Sequence, residues 1–151
     1  MTSLISERTR PPCLLALVIF GATFAVYVLT AARSLCWGDS AEFVAVASTL
    51  GVAHPPGYPL DTLLGALAVR LPYGTPFFRM SMLSAFFASG AAAAAALTVW
   101  MAAGTLPRRG DRGDLPRFAG SLFAGAMLAF GQTFWSQAVV PEVYSLAAFL
   151  A

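Results

Sequence analysis

"LLALVIFGATFAVYVLTAA", residues 14 to 32, is a run of 19 residues without a charge. It is close to the roughly 20 apolar residues that a helix needs to cross the hydrocarbon of a bilayer. The rest of the chain agrees with it. Of 151 residues, 58% are hydrophobic and 11% charged, and the mean hydropathy is +0.74, against roughly 25% charged residues in an ordinary soluble domain. The chain is therefore read as an integral membrane protein. A cleaved signal peptide is the rival reading of this run, because Arg8 and Arg10 precede it and Ala31 and Ala32 follow it. Its apolar core exceeds the roughly 7 to 15 residues of a signal h-region, and further apolar runs follow, which favours a retained span.

Working outward, Met80 to Gly104 is a second uncharged run, with an alanine tract from Ala91 to Ala96. A third runs from Phe118 to about Trp135, with Gly120, Gly125 and Gly131 as expected close-packing points. A fourth apolar segment begins near Val143 and reaches the last residue without a polar flank, so the chain is expected to be the amino-terminal part of a longer membrane domain. The fold class predicted is all-α, a polytopic transmembrane helix bundle. Between the second and third runs lies "TLPRRGDRGDLPR", residues 105 to 117, whose prolines, glycines and four arginines mark a solvated loop on the cytoplasmic side. Arg8 and Arg10 agree with that orientation, since two spans return the chain to the same face. The loop from residue 33 to residue 79 then faces outward, its three arginines balanced by three carboxylates. All nine basic residues are arginine, a bias that carries no function.

Within that loop, "DSAEFVAVASTL" places Phe43, Val46, Ala47 and Leu50 at helical spacing, and "PLDTLLGALAVRL" does the same with Leu60, Leu63, Leu64, Leu67 and Leu71. Helices over 40–50 and 60–71 are predicted, each too short to span and both lying on the membrane surface. "HPPGYP" between them forbids a continuous helix, because proline restrains itself and its predecessor.

The same loop holds the ionisable groups that invite a functional reading: Asp39, Glu42 and the only histidine, His54. Asp-x-x-Glu before an apolar run is also the pattern of a capping box, and a histidine beside two prolines is also a turn residue bonded to a nearby carbonyl. Location weighs on the other side, since ionisable groups held at a membrane face beside apolar surface are costly to desolvate and tend to be functional. Glu142, with Trp135 and Gln137, approaches that face from after the third run. No cofactor is expected, although an Asp, Glu and His cluster would suit a divalent cation. Cys13 and Cys36 sit at opposite ends of the first span, roughly 35 Å apart at about 1.5 Å per residue, too far for a disulfide. Two cysteines and one histidine without close spacing also leave no zinc site. No nucleic-acid partner is expected; the bilayer is the partner that composition demands.

The run "GDSAEFVAVASTLGVAHPPGYPLDTLLG", then "RMSMLSAFFA" and "FWSQAVVPEVYSL", closely resembles the amino-terminal region of a family of multispanning membrane proteins that includes a eukaryotic protein O-mannosyltransferase. That family is similar to GT-C glycosyltransferases, which take a sugar from a polyprenyl-phosphate donor on the non-cytoplasmic face. The resemblance implies a GT-C-like bundle and puts Asp39 in the place of the catalytic carboxylate, with Glu42 orienting the acceptor or holding Asp39. It implies substrate-binding roles for His54, Tyr58, Trp37, Arg79 and Glu142, with Arg33 and Arg79 as candidate partners of the departing phosphate. The membrane expected is a bacterial inner membrane. The rival class is a non-catalytic transporter, lipid-binding or assembly subunit; a transporter should carry charged or broken segments at mid-membrane, and these runs are charged only at their ends.

Overall fold

The computed structural model describes residues 2–36, 38–105 and 114–151, with side chains from residue 12 onward. Arg8, Arg10, Trp37 and the arginines at 108, 109 and 112 thus lie outside the described side chains. Among the described residues every regular element is a helix: α1 Thr2–Thr30, α2 Ser40–Thr49, α3 Pro59–Ala68, α4 Pro76–Gly104, α5 Leu115–Phe130, α6 Gln132–Ala138 and α7 Tyr144–Leu150. Two stretches, Pro12–Thr30 of α1 and the whole of α4, are long and apolar enough to cross a membrane.

The second of these is the axis of the structure, for α4 touches all six other helices. Its alanines make this possible: Ala85, Ala88, Ala92 and Ala96 are fully buried and let backbones approach closely. Gly125 of α5 is another such point, one where three helices meet. A Cβ there would lie 3.1 Å from Ala92 O, 3.2 Å from Ala96 Cβ and 3.2 Å from Ile19 Cδ1, so α1, α4 and α5 meet where even a methyl group would crowd its neighbours.

The core mixes apolar side chains such as Ile19, Phe43 and Trp100 with small polar ones. Ser81, Ser84, Ser89, Ser121 and Thr23 are buried, while Leu14, Leu17, Val18 and Leu29 of α1 are exposed. In α3 the contrast is sharpest, with Leu63 and Leu67 59% and 67% exposed and Asp61 only 8%. Many small and polar side chains thus pack inward while many leucines face out, a pattern that suits apolar surroundings.

Two elements depart from expectation. The run from Phe118 to Trp135 is two helices, parted at Gly131, whose backbone is extended at φ −61° and ψ 129°. α5 has 16 residues, about 24 Å of helix, short of the roughly 30 Å hydrocarbon thickness. The helix ends are held from outside: beside the break buried Tyr27 donates its hydroxyl to Ala129 O at 2.6 Å, and after α6 Ala32 N donates to Val139 O at 2.8 Å. These bonds take up carbonyls that a helix terminus leaves without partners. Gly131 is accordingly a break and not a packing point.

The second departure is α3, which ends at Ala68, short of the expected 71, because Arg79 takes over the following carbonyls. Its guanidinium donates to Val69 O, Tyr73 O and, at 2.8 Å, Gly74 O, closing the turn into α4. Thr75 caps α4 by accepting from Phe78 N at 3.1 Å and donates to Arg33 O at 3.1 Å, which ties the end of α1 to the start of α4.

Candidate active site

The segment between α1 and α4 is seated by a small cluster of Phe43, Val46, Ala47, Ala53, Met80 and Val143, with Tyr58 packed against it. Gly65 lets α3 close on it. A Cβ at that position would come within 2.7 Å of Met80 Sδ and 3.0 Å of Ala47 Cβ. This cluster puts the amino end of α2, the "HPPGYP" turn and the residues before α7 side by side.

Asp39 stands at the amino end of α2, but its side chain makes no capping hydrogen bond, and its backbone is in the helical region at φ −81° and ψ −4°. A capping residue ordinarily leaves that region and accepts an amide from the first turn. Glu42 does not reach back either. Its Oε1 accepts from His54 N at 2.7 Å and its Oε2 lies 3.0 Å from His54 Nδ1. The capping-box pattern is therefore present in the sequence and unused in the structure. Glu42 instead clamps the proline turn to α2, and the two hydrogen bonds from His54 hold its carboxyl below the usual range.

An ionised carboxylate only accepts, so Nδ1 carries the proton of the His54–Glu42 bond. The other ring nitrogen, Nε2, points to Asp39, 3.9 Å from Oδ2. Phe43 and Tyr58 fix the ring with centroids 5.8 and 5.6 Å away. His54 is thus a turn residue, its carbonyl accepting from Gly57 N at 2.9 Å, but its ring bonds a carboxylate and not a carbonyl. The Asp39 side chain keeps 62% of its exposure, the highest of the group. Asp39, Glu42 and His54 each offer one ligand atom within 4.8 Å of the others, a cage of the size a divalent cation takes.

Glu142 reaches this place from the turn between α6 and α7. Its Oε1 accepts from the fully buried Ser40 hydroxyl at 3.3 Å. Burial pushes its carboxyl up; the Ser40 bond opposes this, while Asp39 and Asp61 push it further up. Asp61, in the first turn of α3, is buried and raised to about 6 by desolvation. Sequence reasoning missed Asp61, together with Ser40 and Ser84 that hold Glu142.

Of the expected site residues, the structure brings together Asp39, Glu42, His54, Tyr58 and Glu142. It does not do so with Arg79, whose donors go to the carbonyls after α3, nor with Arg33, whose guanidinium stacks over Phe78 at 5.3 Å. The expectation that Glu42 holds Asp39 is also corrected, since both of its oxygens serve His54. Trp37 lies outside the described residues.

An all-helical chain with two helices long and apolar enough to cross a membrane, and with Asp39, Glu42 and Glu142 brought together from two separate stretches, defines the class: a helical protein carrying a carboxylate site at one end of its central helix. Comparison with known proteins then supplies the family. The protein O-mannosyl-transferase TMEM260 N-terminal domain matches residues 39–151, and the chain belongs to that family. It is 36% identical over 132 residues to protein O-mannosyl-transferase TMEM260 of Mus musculus, an alignment that covers 87% of this chain and 17% of the mouse protein. It is 29% identical over 145 residues to the Dictyostelium discoideum protein of the same name, covering 94% of this chain and 16% of that one. The chain thus spans less than a fifth of the length of either relative. No solved structure matches it.

Proposed function

We propose that the whole protein is a GT-C-like membrane glycosyltransferase, moving mannose from a polyprenyl-phosphate donor to a protein hydroxyl on the non-cytoplasmic face, with Asp39 as general base. The observation that carries this is the state of Asp39: a carboxylate at a helix start that does no capping, is largely exposed, has His54 Nε2 3.9 Å away, and is followed by Ser40, which bonds Glu142. Sugar and acceptor class come from the names of the relatives, both protein O-mannosyl-transferases.

In this reaction the acceptor oxygen bonds the anomeric carbon as the bond from that carbon to the phosphate oxygen breaks. The electron pair leaves with the lipid phosphate. The hydroxyl proton passes to Asp39, and a single carboxylate suffices for such an inverting displacement. Since Arg33 and Arg79 are engaged elsewhere, we assign the positive partner of the phosphate to parts of the whole protein beyond these residues. The arginine pattern supports an outward-facing site. Because the reported relatives are eukaryotic, we do not assign a bacterial membrane. The test is transfer of labelled mannose by the purified whole protein from a polyprenyl-phosphate donor or from a nucleotide sugar to a serine- and threonine-bearing acceptor. Transfer from the lipid donor is expected; transfer from the nucleotide sugar alone would contradict the proposal.

A further inference from the structure

Asp39 is followed in the chain by a residue that bonds a second carboxylate. Ser40 is completely buried, and its hydroxyl is partnered by Glu142 Oε1. On the other side Gly38 has a φ of +94°, and a Cβ placed there would lie 4.0 Å from the same oxygen. Glu142 is itself braced on the central helix: its N–H donates to Ser84 Oγ and its carbonyl accepts from the Ser84 hydroxyl, both at 3.2 Å. Pro141 before it and Val143 after it are buried. A bracket therefore runs from α4 through Glu142 to Ser40, the residue that follows Asp39 in the chain. Ionised Glu142 gains little there, being partly desolvated and facing two other carboxylates. Its one side-chain hydrogen bond among the described residues goes to Ser40, so its contribution is to geometry.

We propose that Glu142 is a positioning residue for Asp39: acting through Ser40, it fixes the backbone that aims the Asp39 carboxylate at the acceptor hydroxyl. This rests on the reading of Asp39 as the base. A buried hydroxyl left without its acceptor would move to find another, and displacement of a reacting group by about 1 Å can lower turnover on the order of 10²-fold.

The test compares Glu142→Ala, Glu142→Gln, Ser40→Ala, the double variant E142A/S40A and Asp39→Asn in the whole protein, with kcat, donor KM and thermal stability measured for each. Glu142→Ala should lose roughly 10- to 100-fold in kcat with donor KM unchanged. Glu142→Gln keeps an oxygen for Ser40 and removes the desolvated charge, so it should keep kcat within a few-fold and melt no lower than the parent. Ser40→Ala should lower kcat in the same direction, and the double variant should fall no further than Glu142→Ala, because both changes break one link. Parent-like kcat in Glu142→Ala, or loss in Glu142→Gln equal to that in Glu142→Ala, would overturn the proposal. If Glu142→Ala does not fold, parent-like kcat in Ser40→Ala overturns it instead. An inactive Asp39→Asn beside a parent-like Glu142→Ala would sink this proposal alone, whereas an active Asp39→Asn would sink the base assignment and this proposal with it.

Discussion

Asp61 is the residue in which burial and charge are most at odds. It faces inward from α3, raised from an ordinary 3.8 to about 6 by desolvation. A carboxyl whose folded-state value lies above its unfolded value destabilises the fold when ionised. That penalty is complete above about pH 6 and is relieved as pH falls from about 6 toward 4. At 1.36 kcal/mol per unit, the penalty at neutral pH is on the order of 3 kcal/mol. Asp61→Asn should therefore raise thermal stability at pH 7, and the parent's gain on acidification from pH 7 to pH 4 should shrink in the variant. Melting curves at both pH values check this; a variant that melts lower at pH 7 would show that the charge is needed. Asp61 was legible only to a reader who knew which way α3 faces. Leu60, Leu63 and Leu67 look like the packing stripe of a surface helix, yet they are the outward face, and the aspartate beside them is the inward one. Asp39, Glu42 and His54 were legible as a cluster because their spacing is local. The sequence does not tell which bonds they form, for the capping box and the clamp on His54 use the same residues.

Between α3 and α4 the decisive side chain is Arg79, which sequence position marked as a phosphate ligand and which three carbonyls claim as a turn closure. Arg79→Gln should cost about 2 kcal/mol of stability, in the range of hydrogen bonds to charged groups, and leave donor KM unchanged. A selective rise in donor KM at parent stability would restore the phosphate role. The two short helices were legible because periodicity and the "HPPGYP" break bound them, and both lie within a few residues of expectation. The break at Gly131 was not. Hydropathy is continuous from Phe118 to Trp135, and what stops α5 is an extended glycine beside a carbonyl, that of Ala129, taken by Tyr27, a partner about 100 residues earlier.

Over the described residues, outward leucines and inward serines and alanines fit a lipid surrounding, and the helical class was legible from the length of the uncharged apolar runs. The orientation rests on arginine asymmetry and has its own test. With Cys13 and Cys36 replaced, a cysteine at the exposed Val52 should react with an impermeant thiol reagent from the non-cytoplasmic side, and one at Gly110 should not; equal labelling in sealed membranes would refute it. The central claim is that the carboxylate at the start of α2 accepts a proton and does not cap a helix. Asparagine at position 39 keeps the size and a side-chain oxygen and removes only the basicity, so Asp39→Asn in the whole protein separates the two. Measured as mannose transfer from a labelled polyprenyl-phosphate donor, with parent and variant matched in thermal stability, turnover should fall by roughly 10² to 10⁴. Near-parent turnover in the stable variant would contradict the account.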